Sequence, residues 1–365
     1  MALTRVVLAR RLLSPIRNGA SFRSLSSSAG SITDTDAALP LPHHRVHLLF
    51  GANTDVGKSI VSTGLVRAAA TTAAADATSS VNYIKPLQCG GSDESFVSSH
   101  RDDRTGDERR ATTEEGLAGE ETPPRPIVDV DCRTLFRWET PASPHLASRW
   151  ENLPVGDAEV LSSLRSSLRS IEEGTNGSIV TIIESAGGVL SPSSSSPCNN
   201  APAATGSRFW GWSTQADLYA SSKIPVVFVG DGKLGGISVT LASLEALWSR
   251  GYRVDAVVFI EGVGDEGGDG MDEDESGILF GKGNAEALRE YVTMQQLRGQ
   301  EQESPDIESN SLKGRPSIID RDAIICLPPL PPMPVPLDGW YKRNQESFLN
   351  LHQLLSRRWS NRQQR

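Results

Sequence analysis

Lys58 and Ser59 have the types and spacing to handle a phosphorylated ligand. They sit in Gly51-Ala-Asn-Thr-Asp-Val-Gly-Lys-Ser59, between a short apolar run and an amphipathic stretch that continues to about Ala70. A glycine turn from strand to helix exposes consecutive backbone N–H groups, and the unpaired N–H groups at the helix start favour anions. The Lys58 ammonium would neutralise phosphate oxygens, and the Ser59 hydroxyl is a hard donor suited to Mg²⁺. The candidate nucleotide cradle is therefore Asn53, Thr54, Asp55, Val56, Gly57, Lys58 and Ser59. Five residues stand between its glycines instead of the usual four. Glu184 ends another apolar run and is followed by Gly187 and Gly188, where backbone can approach a ligand closely. Gly235, Gly236 and Ser238 precede a third helical stretch, where free N–H groups could hold an anion and helix capping alone would also account for Ser238. Taken singly, Lys85 reads as a surface lysine entering a proline turn, and Glu184 as a turn or cap residue.

Such groups meet only if a scaffold brings distant segments together. Six short apolar runs, rich in β-branched residues and without strict alternation, cover 46–50, 81–87, 179–185, 224–230, 254–260 and 323–327. That character suits strands buried on both faces of a parallel sheet. Helix-period segments lie between them: Val160, Leu161, Leu164, Leu168 and Ile171 share one face, as do Ile237, Leu241, Leu244 and Trp248. Alternating strands and helices predict right-handed crossovers and a doubly wound, mainly parallel α/β sheet. Segments 191–207, 262–283 and 298–315 are polar, Gly/Ser/Pro-rich or strongly charged, and read as surface insertions. Residues 336–365 read as a helical tail.

The charge balance, 36 basic against 45 acidic side chains for a net −9, argues against a general nucleic-acid binder. Part of that acidity is concentrated in 264–276, which reads as a solvated loop. No apolar run reaches the roughly 18–20 residues needed to span a bilayer, so no membrane partner is expected. Four scattered cysteines without a C-x-x-C pair disfavour a zinc site or a disulfide framework. Residues 1–33 carry Arg5, Arg10, Arg11, Arg17 and Arg23 but no lysine and no acid. With Val6, Leu8, Leu12, Leu13 and Ile16 they can form a basic and apolar helix, the pattern of an organellar transit peptide, mitochondrial before plastid; a plain basic tail is the alternative.

Read in order, these blocks resemble the dethiobiotin synthetases. Gly51 to Ser59 resembles that family's deviant P-loop, G-x-x-T-x-V-G-K-T/S, with Thr54, Val56, Gly57, Lys58 and Ser59 on the motif. Tyr83-Ile-Lys-Pro-Leu-Gln-Cys89-Gly90 resembles Y-x-K-P-x-Q-T/S-G, Ser143-Pro-His145 resembles S-P-H, and Ile183-Glu-Ser-Ala-Gly-Gly188 resembles V/I-E-G/T-A-G-G. Val229 to Ser238 resembles V-G-x-x-L-G-x-I-N/S, and the segment from Leu327 to Pro331 resembles the proline stretch that closes over the purine.

The resemblance implies a P-loop NTPase-like fold and the ATP-dependent ring closure of 7,8-diaminononanoate with CO₂, with Mg²⁺ as metal and a homodimer as assembly. Thr54, Lys58 and Lys85 would be catalytic, Glu184 and Ser59 would hold the metal, and Gly187 and Gly188 would face the nucleotide. Lys85, Cys89, Gly235, Gly236 and Ser238 would contact substrate, and His145 is either a general base or a structural residue at a helix start. Cys89 stands where the family has Thr or Ser, facing the carbamate or simply packing. A second metal carboxylate falls on Asp102 by spacing from Lys85, with Asp103 and Asp93 as competitors. The stretch from Val257 to Glu261 lacks the Asn with which the family reads adenine, leaving base preference open. In eukaryotic versions this domain precedes an aminotransferase. The rival readings are an ATPase of the same deviant P-loop class and a domain that binds nucleotide without turning it over.

Overall fold

The computed structural model describes residues 43–73, 79–101, 128, 130–197, 210–262, 280–301 and 319–364. Residues 1–33, the acidic run 264–276, Asp102 and Asp103 lie outside them. Seven strands form one sheet, β1 (His44–Gly51), β2 (Ser80–Cys89), β3 (Val130–Trp138), β4 (Ile179–Glu184), β5 (Val226–Val229), β6 (Val254–Ile260) and β7 (Ile324–Leu327). Their order is β3-β2-β4-β1-β5-β6-β7, and every neighbouring pair is parallel. The chain leaves β1 for β2 on one side and later leaves the adjacent β4 for β5 on the other, so the direction of the connections reverses between β1 and β4. A crevice opens at such a reversal point, beyond the strand ends.

The apolar runs become strands because both of their faces are covered. Leu48 and Phe50 enter one core cluster and Leu49 the other, all at 0% exposure. On the first face lie α4 (Asp157–Glu173), α6 (Gly236–Ser249) and α7 (Phe280–Glu301), which bury Leu164, Leu244 and Leu288. On the second lie α1 (Lys58–Ala73) and the C-terminal pair α8 (Asp338–Arg343) and α9 (Gln345–Gln363). Burying a side chain of this size contributes about 1.5–3 kcal/mol each. Gly64 shows how closely α1 and α9 approach: a Cβ there would stand 2.1 Å from the Phe348 ring. Two shorter helices, α2 (Asp93–His100) and α3 (Pro144–Trp150), follow β2 and β3, and α5 (Gln215–Tyr219) precedes β5.

Three expectations need correction. The sheet has a seventh strand, β3, at its edge, where Arg133, Thr134 and Arg137 break the apolar signature that an interior strand would carry. The polar segment 191–207 is not wholly a surface insertion. Ser193, Ser194 and Ser195 are buried, and the Ser193 and Ser213 hydroxyls donate to Asp157 at 3.0 and 2.5 Å. Helix α7 takes in residues 280–283 and 298–301, the ends of the two other expected insertions. Among the described residues no helix is long and apolar enough to cross a membrane.

Candidate active site

The phosphate loop leaves β1 at Gly51 and enters α1 at Lys58. Its path needs left-handed backbone at Asp55 (φ 58°) and Gly57 (φ 92°). At Gly57 a Cβ would also meet Ile260 Cδ1 at 2.5 Å, so glycine is required on two counts. Asn53 Oδ1 accepts from the Thr54 N–H at 2.8 Å, and Lys58 Nζ donates to the Asn53 carbonyl at 3.1 Å, closing the loop on itself. The second glycine block lies against it: a Cβ on Gly188 would stand 3.1 Å from the Ala52 carbonyl, and one on Gly187 4.0 Å from Thr54 Oγ1. The structure thus brings Asn53, Thr54, Lys58, Gly187 and Gly188 to one place.

Glu184, at the end of β4, is the hub. It is fully buried and accepts from Ser59 Oγ (3.0 Å), Ser62 Oγ (2.7 Å), the Tyr83 hydroxyl (3.1 Å) and Lys85 Nζ (2.8 Å). Lys85 is far from the surface lysine that its sequence neighbourhood suggests. It is 3% exposed in the middle of β2, beside the end of β4, and it also pairs with Asp93 at 2.6 Å and donates to the Ser185 carbonyl at 3.2 Å. Burial alone would lower its pKa, but Glu184 and Asp93 outweigh that and raise it, fixing the ammonium as charged. Lys58 has the opposite balance: burial, then repulsion from Lys85, lowers its pKa to about 8. The two buried ammonium groups are close enough to repel, and the Glu184 and Asp93 carboxylates offset their charge. Burial and the neighbouring Glu184 carboxylate push the Tyr83 phenol well up, so it stays a hydrogen-bond donor.

Ser62, Tyr83 and Asp93 are site residues to which sequence reasoning assigned no such contact. Ser62 is three residues after Ser59, one helical turn on, and Tyr83 is two before Lys85 on the same strand face; those spacings were the available signal. Asp93 starts α2, capped by Ser92, whose hydroxyl accepts from the Ser95 N–H. Among the described residues no group of three or more His, Cys, Asp or Glu side chains stands ready to hold a metal.

With this geometry in view, a family model described as an AAA domain matches residues 45–300. The chain belongs to that family. It is 37% identical over 239 residues to the mitochondrial bifunctional dethiobiotin synthetase/7,8-diamino-pelargonic acid aminotransferase of Oryza sativa subsp. japonica, covering 58% of this chain and 27% of that one. The protein of the same name from Arabidopsis thaliana is 31% identical over 288 residues, covering 69% and 32%. The ATP-dependent dethiobiotin synthetase BioD of Rhodopseudomonas palustris is 28% identical over 214 residues, covering 58% and 73%. The chain spans 27–32% of the length of the two plant relatives.

Cys89 ends β2 opposite Trp138, is half-buried against the core, and has its thiol pushed up to about 12 by burial and by Glu151. No hydrogen bond joins Cys89 to Lys85 or Glu184 among the described contacts. Gly235 (φ 80°) caps α6, and Gly236 is packed so that a Cβ would meet the Asp231 carbonyl at 2.1 Å. Asn284 Nδ2 ties this turn down by donating to the Asp231 and Lys233 carbonyls at 2.8 and 3.0 Å. Ser238 is exposed on the first turn and makes no side-chain cap bond. His145 follows Pro144 at the start of α3, hydrogen-bonded to Ser143 Oγ at 2.9 Å and beside the Trp212 ring. Burial and Arg149 lower its pKa. The Trp340 indole donates to the Pro329 carbonyl at 2.9 Å, anchoring the proline segment after β7.

Proposed function

We propose that this AAA domain is an ATP-dependent dethiobiotin synthetase, closing a ureido ring on 7,8-diaminononanoate with CO₂ and ATP. The observation that carries the reading is the meeting of Lys58, Ser59, Lys85 and Glu184 where β1 runs into the phosphate loop and β4 ends beside the middle of β2. Relatives named dethiobiotin synthetase support it. In the reaction, one amine of the substrate attacks CO₂ and loses a proton to give a carbamate. A carbamate oxygen takes the γ-phosphoryl group of ATP, releasing ADP. The second amine attacks the carbamoyl carbon, loses a proton, and phosphate leaves.

Every step after the first moves negative charge through the space that Lys58 and Lys85 face. Preorganised cations aimed at such charge are what phosphoryl transfer chiefly requires. Lys58 would bind the phosphates together with the loop N–H groups of Asp55 to Ser59, and Thr54 would orient the γ-phosphoryl group. Lys85 would hold the carbamate. Its pairing with Glu184 and Asp93 fixes where the ammonium stands, so little reorganisation accompanies catalysis.

The residues present fit Mg²⁺: a hydroxyl and a carboxylate oxygen, both hard donors, stand 3.0 Å apart at Ser59 and Glu184, leaving phosphates and water to complete the shell. Bound there, Mg²⁺ supplies neutralisation of phosphoryl oxygens. Of the candidates for a further carboxylate, Asp93 is the one whose contact with Lys85 supports it; Asp102 and Asp103 lie outside the described residues. Gly235, Gly236 and Ser238 would receive the substrate carboxylate across a homodimer interface, which the exposure of Leu234 and Val239 beside them supports. Cys89 would line the carbamate side.

Phosphate release is the test: it should require diaminononanoate and bicarbonate together with ATP. Release indifferent to the diamine would leave a nucleotide hydrolase. Residues 1–33 would direct the chain to mitochondria, in keeping with the plant relatives' names. A fluorescent fusion of that segment should lose its mitochondrial pattern when the five arginines become Gln, and plastid fluorescence would overturn the assignment.

A further inference from the structure

The two oxygens of Glu184 have different kinds of partner. Oε1 accepts from Ser59 Oγ, at the start of α1, and from the Lys85 ammonium, at 3.0 and 2.8 Å. Oε2 accepts from Ser62 Oγ at 2.7 Å and from the Tyr83 hydroxyl at 3.1 Å. Ser62 and Tyr83 are both 0% exposed, whereas Ser59 is half-buried. Oε1 is thus the oxygen on the side of the phosphate loop, and Oε2 meets neutral donors buried in the protein.

Burial alone does not ask for this division, since any set of donors satisfies a buried carboxylate. Here Oε2 is held from two directions. Ser62 is fixed by the second turn of α1, and Tyr83 by β2, where it lies between Cys132 and Ile182 of the neighbouring strands. Turning both oxygens towards one ligand would leave two buried hydroxyls without their acceptor, which is costly. A carboxylate confined to one oxygen suits a small cation with strict octahedral geometry, such as Mg²⁺. The larger Ca²⁺ takes more oxygens in looser geometry and gains from carboxylates that offer both. Groups that orient a metal ligand in this way tune the metal as well as the ligand.

We propose that Ser62 and Tyr83 are positioning residues that set the metal preference of the site: by holding Glu184 Oε2 they leave Oε1 as its single oxygen for a cation, favouring Mg²⁺ over Ca²⁺. The inference rests on the placement of Mg²⁺ between Ser59 and Glu184 given above, and not on the ring-closing reaction.

Calorimetric titration of the full chain with ADP, in EDTA, in Mg²⁺ and in Ca²⁺, tests this. Neither diamine nor bicarbonate is present, so a failure here and a failure of ring closure are told apart. Mg²⁺ should strengthen ADP binding more than Ca²⁺ does. Tyr83→Phe and Ser62→Ala each remove one hydroxyl. Each should lower the ratio of ADP affinity in Mg²⁺ to that in Ca²⁺ about two- to twelve-fold, the worth of one neutral hydrogen bond. The double variant should lower it further. ADP affinity in EDTA should stay at the wild-type value, which also reports a folded phosphate loop, and either single variant tests the proposal without the other. A wild-type ratio in both single variants, an equal loss of ADP affinity in all three buffers, or a wild type indifferent to which metal is present would overturn the proposal.

Discussion

Replacing Glu184 by Gln removes one charge from a group that is completely buried and takes four hydrogen bonds. The three hydroxyl donors can rotate to accept from the new amide, whereas the Lys85 ammonium cannot. Lys85 keeps Asp93 at 2.6 Å, so its charge is not orphaned. Removing one partner of a buried pair costs about 3–5 kcal/mol, and the retained Asp93 contact places Glu184→Gln near the lower end, about 3 kcal/mol. Lys85→Met leaves two carboxylates facing each other and should cost at least as much. In the double variant both unfavourable remnants disappear together. Its loss should fall short of the sum of the single losses by at least about 1.5 kcal/mol. Urea unfolding followed by tryptophan fluorescence gives all three values. Additivity within about 0.5 kcal/mol would refute the claim that Glu184 and Lys85 form one network.

Lys58→Ala should weaken ATP about ten- to a hundred-fold, the loss of a charge-assisted contact of about 1.5–3 kcal/mol; wild-type affinity in the folded variant would contradict the phosphate loop. Because burial and Lys85 hold the free Lys58 ammonium at about 8, ATP affinity should be constant below that pH and fall as pH rises through it. Calorimetric titrations from pH 7 to 9.5 read this, and Lys58→Arg, charged throughout, should lose the dependence. His352 is buried with both ring nitrogens unpartnered, and burial, then repulsion from Arg45, lowers its pKa from 6.5 to about 4. Between those values the unfolded chain binds the extra proton, so stability falls as pH drops from about 6.5 to 4 and flattens below. The gap corresponds to roughly 3 kcal/mol. His352→Leu should therefore gain about that much on the wild type across the window, and parallel stability curves would count against it.

The interior of the fold was legible because interior strands have no polar face. All six apolar runs became strands, and Val254–Ile260 kept its bounds unchanged. The edge strand β3 was hidden by the same rule, since one long side is open and arginines are tolerated there. Helix α7 was hidden because its buried stripe is narrow, Ala285, Leu288 and Val292, flanked by charge. Ser193 to Ser195 escape the pattern because a serine run reads as solvent-seeking, whereas here Asp157 and backbone groups satisfy the hydroxyls inside the core. In the candidate site the phosphate loop was legible as a contiguous stretch. The Lys85–Asp93–Glu184 cluster was not, because β2 and β4 become neighbours only through the strand order. Periodicity says which side chains are buried, and nothing about which distant ones are buried together.

The central claim is that Lys58, Lys85 and Glu184 serve the ATP-driven closure of a ureido ring. Its most direct measurement uses the full chain with MgATP, ¹³C-bicarbonate and 7,8-diaminononanoate, following product by mass spectrometry and ADP in parallel. The account predicts one labelled carbon in dethiobiotin for each ADP formed, and loss of that label in Lys85→Met under conditions where ATP still binds. ADP formed at the same rate without the diamine, with no labelled ring product, would contradict it.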